Sequence, residues 1–186
     1  MTNDNGSVTA WIGLGANLGE PQKAIQSALR LLVNKSGTSI TAVSSFYRTA
    51  PVGFDDQPDF LNGVARIQTE LDSDVLLERL LEIEAEIGRI RTSERFGPRV
   101  IDLDLLLFGD QIIDSDVLLV PHPRMQLRRF VLEPLAEIEG EMVFPDGMTL
   151  SACLRDCANQ EVTREGAIEC SEANYTKASN LPDNGL

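Results

Sequence analysis

The chain has 186 residues, 42% of them hydrophobic, which suits one compact domain with a sizeable core and gives no reason to invoke a second. Its formal net charge of −13 and its sequence pI near 4.4 would repel a polyanion, so we expect no nucleic-acid partner, and any phosphate site must be a local basic exception. Residues 1–7 are polar, and no run approaches the roughly 18 apolar residues of a spanning helix, so we expect a cytoplasmic protein without a membrane partner.

The first half of the chain is predicted to form a strand, a helix and two further strands. Thr9–Leu14 is an apolar strand that runs into a glycine-containing loop, and Pro21 suits the first turn of the helix that follows. Ser39–Tyr47 carries β-branched residues and is predicted as the second strand, with Phe60–Thr69 as the third. The polar segment between them, Thr49–Pro58, is predicted to be a loop of the kind that often carries binding groups.

The second half opens with the most regular helix pattern in the chain. This helix is capped by Asp72 or Ser73, ends at Gly88 and has one apolar side, formed by Leu76, Leu80, Ile83 and Ile87. Val100–Phe108 is predicted to be the fourth strand, ending at the turn pair Gly109-Asp110. The resulting order is that of the split βαβ, ferredoxin-like α+β arrangement, in which helices cover one face of a mainly antiparallel sheet.

The C-terminal part of the chain changes from helical to polar. Phe130–Ile138 and Ser151–Cys157 are predicted to add short helices. After about Asn159 there are almost no large apolar side chains, so we predict one domain of residues 8–158, followed by an acidic, disordered tail of residues 159–186. The three cysteines have no histidine cluster beside them, and we expect them to stay reduced: Cys153, Cys157 and Cys170.

Two carboxylates in the fourth predicted strand suggest a metal site. Because side chains alternate along a strand, Asp102 and Asp104 project from the same side, with Cα atoms roughly 6.5–7 Å apart. Such a pair beside an apolar wall is costly unless a cation lies between them, and two Mg²⁺ ions about 4 Å apart would meet that need while binding substrate phosphates. The alternative is an exposed strand face paired with arginines, which is the commoner origin of a lone Asp-x-Asp.

Immediately before this strand lies the local basic exception. Four arginines fall within eleven residues of an acidic chain: Arg89, Arg91, Arg95 and Arg99. Guanidinium groups bind phosphate oxygens in a bidentate way and stabilise charge on a migrating phosphoryl group, although a solvated loop that balances nearby glutamates would look similar. Together with the carboxylates, the arginines supply the anion clamp and the metal seat of a phosphoryl transferase.

Several further features have both a structural and a functional interpretation. The glycines of Gly13–Gly19 fit neither the dinucleotide fingerprint nor a P-loop, and we interpret them as a tight turn before the first helix. His122, the only histidine, lies between two prolines and is either structural or a donor to phosphate. Phe60 and Phe130 either pack in the core or stack on a flat heterocycle, with Asn62 on the same strand face as Phe60.

With these residues assembled, the chain resembles the 6-hydroxymethyl-7,8-dihydropterin pyrophosphokinase family from about Trp11 to Phe144. The most specific stretch is Arg95-Phe-Gly-Pro-Arg-Val-Ile-Asp-Leu-Asp-Leu-Leu-Leu-Phe-Gly109. Three other motifs follow the family's order: Ser44-Ser-Phe-Tyr-Arg-Thr49, Gln57-Pro-Asp-Phe-Leu-Asn62 and Val120-Pro-His-Pro-Arg124. Several separated motifs in the right order make a chance match improbable.

The resemblance implies an ATP site with two magnesium ions. Asp102 and Asp104 would hold the metal, and Arg89 and Arg99 would contact the ATP phosphates, so these four residues are the candidate catalytic set. The other residues on the ATP side would be a loop arginine that closes the site, two cationic groups at the nucleotide and one carboxylate near its ribose or base: Arg91, His122, Arg128 and Glu84. Arg95 would belong to the same mobile loop as Arg91.

The resemblance also supplies the second substrate, 6-hydroxymethyl-7,8-dihydropterin. The pterin would lie between Phe60 and Phe130, with hydrogen bonds from Asn62 and from backbone groups at Thr49, Ala50 and Val52. Its hydroxymethyl oxygen would attack the β-phosphorus of ATP with AMP as the leaving group, a reaction of folate biosynthesis in which positioning and charge stabilisation dominate. We expect the enzyme to act on these small molecules as a monomer.

Three positions depart from the family pattern. Phe60 and Phe96 stand where Tyr and Trp are frequent, and Pro123 follows His122 where an aromatic residue is common. Two other functions use the same features: a different metal-dependent enzyme of phosphate esters, such as a nucleotidyltransferase or hydrolase, and a non-catalytic ferredoxin-like module. AMP release that depends on pterin separates the first, and ligand binding that survives the loss of both aspartates would indicate the second.

Overall fold

The computed structural model of the chain describes residues 6–35, 38–51, 56–90 and 97–169. Its helices and strands follow in the order β1 (Val8–Ala16), α1 (Pro21–Lys35), β2 (Ser39–Val43), β3 (Ser45–Thr49), β4 (Phe60–Thr69), α2 (Ser73–Ile87), β5 (Asp102–Phe108), β6 (Ile113–Asp114), β7 (Leu119–Val120), α3 (Arg129–Glu139), α4 (Leu150–Asp156) and β8 (Thr163–Ala167). A 3-10 helix, Met125–Leu127, precedes α3. Over these residues, no helix is long and apolar enough to span a membrane.

The main sheet has the strand order β5-β1-β4-β3-β8, and β2 pairs with β4 beside β3. All of its pairings are antiparallel, and the central pair runs from Val8 opposite Thr69 to Ala16 opposite Leu61. Because β1 lies between β4 and β5, each of the two βαβ units is split by a strand from the other. The predicted α+β, ferredoxin-like fold is therefore confirmed.

The predicted second strand, Ser39–Tyr47, is in fact two strands separated at Ser44. The backbone N–H of Ser44 donates to Val64 O at 3.0 Å, and its hydroxyl accepts from Val64 N–H at 3.0 Å. The hydroxyl also donates to Ser45 O at 2.8 Å. The Ser44 side chain thus takes a hydrogen bond from Val64 N–H that a backbone carbonyl would accept in a regular ladder. This interrupts the pairing with β4 and separates β2 from β3.

The two faces of the sheet are covered by different helices. Residues that alternate along β1 and β4 pack with α1 and α2 in a closed apolar core, which includes Ile12, Leu29, Ile67 and Leu80. The intervening residues form a second core with α3 and α4, which includes Val64, Leu106, Leu132 and Phe144. The prediction that helices cover one face holds for α1 and α2, whereas the short helices predicted near the C-terminus pack on the other face.

Helix α2 has the predicted bounds and also presents one buried charge. Asp72 is its N-cap, and Gly88 ends it with a φ of 103°, the left-handed conformation that glycine adopts without strain. Three of the four predicted apolar residues are buried, Leu76, Leu80 and Ile83, while Ile87 is only partly buried. The fourth buried residue is Glu84, which is 2% exposed. Glu84 Oε1 accepts a hydrogen bond from Leu103 N–H at 2.8 Å, so α2 is tied directly to β5.

The prediction that the chain beyond Asn159 is disordered is wrong for β8, which pairs with β3. Its polar residues are held by opposite charges on other elements: Arg48 pairs with Glu165 at 2.5 Å, and Arg164 with Glu137 at 2.6 Å. Composition alone does not reveal such long-range partners. Ile168 then enters the first core. Residues 170–186 lie outside the described residues, as does Cys170, and Cys153 and Cys157 are buried free thiols.

Candidate active site

A cavity of about 420 Å³ lies on the second face of the sheet, beside the start of α3. Strands β1, β4 and β5 form its floor, and the end of β3 and the segment after α4 form its sides. It brings together nine of the predicted site residues: Thr49, Ala50, Phe60, Asn62, Arg99, Asp102, Asp104, Arg128 and Phe130. Arg89, Glu84 and His122 lie next to this group, and Val52, Arg91, Arg95 and Phe96 lie outside the described residues.

The floor is open because β1 carries glycine at two positions. A Cβ atom at Gly13 would lie 3.3 Å from Leu106 Cδ2, and one at Gly15 would lie 3.5 Å from Asn62 Oδ1. The prediction of a tight turn is wrong for these two residues, since both belong to a strand that continues to Ala16. The turn comes later, at Gly19, whose φ is 66°.

Asp102 and Asp104 project into the cavity from one side of β5, as the alternation predicted. The pKa of Asp104 is raised above its ordinary value by burial and by the negative charge of Asp102. The positive charges of His122, Arg128 and Arg99 act in the opposite direction. Ionised Asp104 is therefore costly without a cation nearby, and any cation brought to the cavity stabilises it.

A charged chain of residues links α2 to the first of these carboxylates. Arg89 Nη1 donates to both Glu84 Oε1 and Asp102 Oδ1. Arg99 approaches the other oxygen, with its Nε 3.3 Å from Asp102 Oδ2. Glu84 lies behind Arg89 and holds that arginine in place, so two guanidinium groups converge beside Asp102.

Asn17 orients the segment that carries Arg99, a role that sequence reasoning missed. Its Oδ1 accepts from Arg99 N–H at 2.7 Å, and its own N–H donates to Arg99 O at 3.0 Å. Its Nδ2 donates to Gln57 Oε1 and Pro58 O, each at 3.0 Å. A buried asparagine thus joins two loops at the cavity edge. The sequence signal that could have indicated this role was the position of Asn17 in a loop beside glycines.

The two candidate aromatic residues both line the cavity, and each ring lies beneath an arginine. The guanidinium carbon of Arg99 is 5.1 Å from the centroid of the Phe60 ring, and that of Arg128 is 5.5 Å from the centroid of the Phe130 ring. Both distances are within the range of cation–π attraction. Each phenylalanine is therefore paired with an arginine that also lines the cavity.

Asn62 is buried at the base of the cavity with its amide already oriented. Its Nδ2 donates to Thr49 Oγ1 at 3.0 Å and lies 3.4 Å from Tyr47 O. These contacts join β4 to β3 at the end of β3 where the cavity opens. A buried amide of this kind offers a fixed hydrogen-bonding group to a polar heterocycle.

His122 is held near Asp104, which favours the functional interpretation of this residue. Its N–H donates to Leu106 O at 2.9 Å, and its Nδ1 accepts from Arg124 N–H at 3.3 Å. Burial lowers the pKa of His122 below its ordinary value, and Arg128 and Arg124 lower it further, although Asp104 raises it. With Nδ1 accepting, Nε2 is the nitrogen that carries the proton of the neutral ring.

The donor atoms at the cavity suit a cation that shares its ligands with a substrate. Across the described ranges, no group of three or more His, Cys, Asp or Glu side chains forms a metal cage. Asp102 and Asp104 instead offer hard oxygen atoms from one strand face. Mg²⁺ is commonly held in this way, by one or two carboxylates with phosphate oxygens and water completing the octahedron.

Comparison with known proteins gives a consistent result. The sequence model of the 7,8-dihydro-6-hydroxymethylpterin-pyrophosphokinase (HPPK) family matches residues 11–140. A Haemophilus influenzae protein named 2-amino-4-hydroxy-6-hydroxymethyldihydropteridine pyrophosphokinase is 40% identical over 157 residues, 84% of this chain and 98% of that protein. Proteins with the same name from Pseudomonas aeruginosa and Bacillus subtilis are 45% identical over 154 residues and 48% identical over 129 residues. They are covered over 94% and 77% of their lengths, by 83% and 69% of this chain.

Among solved structures, the fold is similar to that of wild-type Plasmodium falciparum HPPK-DHPS with pterin and p-hydroxybenzoate. The TM-score is 0.67 over 88% of this chain, at 15% sequence identity. The match spans 46% of that chain, and at this identity it shows the fold alone. The family match and the three bacterial relatives carry the assignment: the chain belongs to the 7,8-dihydro-6-hydroxymethylpterin-pyrophosphokinase family.

Proposed function

We propose that the cavity on the second sheet face is where this protein transfers diphosphate from ATP to the hydroxymethyl group of 6-hydroxymethyl-7,8-dihydropterin. The protein is an ATP-dependent pyrophosphokinase of folate biosynthesis, as its family membership indicates. The observation that carries the site assignment is one cavity lined by Asp102, Asp104, two arginines and two phenylalanines. AMP is the second product.

Mg²⁺ is the metal that the two carboxylates would hold. Asp102 and Asp104 would each supply oxygen ligands, and two ions would stabilise both the attacking and the leaving oxygen of the transfer. Bound metal would neutralise charge on the phosphate oxygens. The burial of Asp104 beside Asp102 supports this assignment, because a cation relieves the repulsion that raises the pKa of Asp104.

The arginines bind and orient the triphosphate. Arg99 lies beside Asp102 and in contact with Phe60, so it can reach phosphate oxygens at the boundary between the metal and the pterin. Arg128 lines the cavity at the start of α3, and Arg89 reaches Asp102 from the end of α2. Three guanidinium groups around one anion fix its orientation, and orientation provides much of the rate enhancement of such a transfer.

The pterin is placed between Phe60 and Phe130 at the Asn62 end of the cavity. Stacking on both rings excludes water from the flat heterocycle, and the Asn62 amide and backbone groups at Thr49 and Ala50 select its polar edge. Gly15 leaves room for the hydroxymethyl group between Asn62 and Asp102. Phe60 stacks without the hydroxyl of a tyrosine, so recognition relies on the amide.

Pterin-dependent AMP formation tests this function. Purified protein is incubated with ATP, Mg²⁺ and 6-hydroxymethyl-7,8-dihydropterin, and the nucleotide products are resolved against reactions that lack pterin or metal. We expect AMP only in the complete mixture. Asp104→Asn should lower kcat by on the order of 10³-fold, because it removes a ligand of the metal.

Asp114→Asn, on the exposed strand β6, is the matched control and should retain full activity. ADP as the product, or AMP without pterin, would refute the pyrophosphokinase assignment and favour another enzyme of phosphate esters. Equal activity of Asp104→Asn and Asp114→Asn would refute the metal site. We also expect a cytoplasmic monomer, and light scattering coupled to gel filtration would show whether the enzyme self-associates.

A further inference from the structure

Gln160 lies beyond the residues that the family model matches, where the chain leaves α4 and approaches β8. Its N–H donates to Cys157 O at 3.0 Å and closes the turn after α4. With Glu161 and Val162, it lines the cavity. A residue that sequence composition assigned to a disordered tail is therefore part of the binding site.

The side-chain amide of Gln160 binds the two peptide groups on either side of Arg128. Its Nε2 donates to Leu127 O at 2.9 Å, and its Oε1 accepts from Arg129 N–H at 2.9 Å. The first atom belongs to the peptide unit before Arg128 and the second to the unit after it. Because each peptide unit is planar, the two hydrogen bonds together fix both backbone dihedrals of Arg128.

Arg128 has a particular need for such support. It is the N-cap of α3, with extended backbone dihedrals of −125° and 103°, and so lies outside the regular helix. Its guanidinium group contacts the Phe130 ring and influences Asp104. An arginine side chain has several rotatable bonds, and a fixed backbone reduces the number of conformations that compete with the one facing Asp104.

Gln160 is itself held firmly from both directions along the chain. Arg129 Nη1 donates to Ala158 O at 3.0 Å and to Gln160 O at 3.2 Å. On the other side, β8 joins the sheet at β3, where the hydroxyl of Tyr47 and the guanidinium of Arg164 both donate to Glu137. The amide of Gln160 thus has a fixed position from which to orient Arg128.

We propose that Gln160 is a positioning residue for diphosphate transfer, whose amide holds Arg128 in the orientation that binds the ATP phosphates beside Asp104. This inference rests on the proposed function and adds a residue to it. It also makes the segment after α4 a part of the catalytic unit. The alternative is that Gln160 only caps the N-terminus of α3 and contributes to folding.

A double-mutant cycle on the full chain separates the two roles. Gln160→Met keeps the side-chain volume and removes both hydrogen bonds, and we expect kcat/KM for ATP to fall by about tenfold. In an Arg128→Ala background the same substitution should change kcat/KM by less than about twofold, since the group that Gln160 orients is gone. The Kd of a non-hydrolysable ATP analogue, measured by calorimetry with Mg²⁺, should follow the same pattern.

Two further variants calibrate the cycle. Gln160→Glu keeps the acceptor for Arg129 N–H but sets a carboxylate oxygen against Leu127 O, so a loss at least as large as that of Gln160→Met is expected. Gln126→Ala is the matched control, because its amide donates to Asp146 Oδ2 at 2.8 Å on an exposed surface; it should leave kcat/KM unchanged. Thermal unfolding of each variant gives its folded fraction at the assay temperature, and the measured rates are corrected for that fraction.

An equal loss from Gln160→Met in both backgrounds would show that Gln160 supports the fold alone and would overturn the proposal. Full activity of Gln160→Met would overturn it as well. If Gln160→Met does not fold, Gln160→Glu in the two backgrounds provides the same comparison. Failure of the unaltered protein to form AMP would instead refute the proposed function, so the two failures are distinguishable.

Discussion

The two faces of the central sheet are built from the same strands and each carries an apolar core, but the second face also holds the cavity. On the first face, Ile12 and Leu80 lie in a closed apolar core. On the second, the same strands place Gly13, Asp102 and Asp104 around an open cavity. Because alternate residues of a strand point to opposite faces, one strand can serve both stability and binding. Burial of apolar side chains on the first face stabilises the fold and offsets the cost of placing carboxylates on the second.

Arg89 joins the two faces, and its loss should give the largest combined effect on stability and activity. Arg89→Met leaves the buried Glu84 and the cavity residue Asp102 without their shared cation. We expect a destabilisation of about 3 kcal/mol, since breaking a buried ion pair strands a charge. The activity should also fall by on the order of 10²-fold. Urea unfolding and pterin-dependent AMP formation measure the two effects.

The control for this change is Arg79→Met, which removes a solvent-exposed pair with Glu82 on α2. It should cost less than about 1 kcal/mol and leave activity intact. If Arg89→Met lost activity and kept its stability, Arg89 would serve the second face alone.

Leu80→Ala should damage the first face and spare the second. Leu80 is fully buried between α2 and the sheet, so its truncation should lower the unfolding free energy by about 3 kcal/mol. At a temperature where the variant is folded, kcat/KM should stay within about twofold of that of the unaltered protein. The exposed neighbour Leu81 is the matched control, and Leu81→Ala should be nearly neutral. A large loss of activity in folded Leu80→Ala would show that the two faces are coupled.

Gly15→Ala should impair substrate binding on the second face and leave the stability of the fold nearly unchanged. The added methyl group would make ordinary contacts with Asn62 Oδ1 at 3.5 Å and Asp102 Cβ at 3.7 Å, so the protein should fold with less than about 1 kcal/mol of change. It would occupy the cavity floor, and we expect the KM for the pterin to rise by about tenfold. Steady-state kinetics and urea unfolding check the two parts. Gly166→Ala, which meets open space on β8, should alter neither quantity.

Glu137→Gln should produce the smallest effect, with a distinctive pH dependence. Burial opposes ionisation of Glu137, but hydrogen bonds from Ser45, Arg164 and Tyr47 outweigh it and lower the pKa of this carboxyl. A lowered pKa adds stability above the ordinary carboxyl range, and that stability is lost as the pH falls through the folded-state value.

The substitution should therefore cost about 1 kcal/mol at pH 7 and progressively less in acid. Urea unfolding from pH 7 down to pH 3 measures the difference, with Glu78→Gln on the exposed side of α2 as the control. A cost that did not shrink in acid would mean that charge is not what Glu137 contributes.

Local patterns were sufficient for much of the fold and part of the site. The bounds of β4 and α2 agree with the predictions because both depend on residues close together in the sequence. These are the hydrophobic periodicity of each element and, for α2, the terminating Gly88. Alternation along β5 likewise placed Asp102 and Asp104 on one face. The substrate and the roles around it came from family resemblance, since spacing carries no information about a heterocycle.

The features that were missed depend on partners far along the chain. The sequence of β8 is typical of a polar tail, and the strand is held in place by the pair of Arg164 with Glu137. The break at Ser44 depends on a hydrogen bond with the backbone of Val64. Gln160 has no local signal at all, because its two partners flank a residue more than thirty positions earlier. Contacts between residues so far apart in the sequence cannot be predicted from composition or from hydrophobic periodicity.

The placement of β8 and Gln160 has a consequence for the order of events during synthesis. A ribosome makes the strands that carry Asp102 and Asn62 well before the segment that completes the cavity wall. Domains fold as units as the chain emerges, and here the last wall emerges only after α4. A nascent chain that has already built most of its sheet would still lack the residue that we propose orients Arg128, so the complete cavity would form only after the segment beyond α4 has emerged.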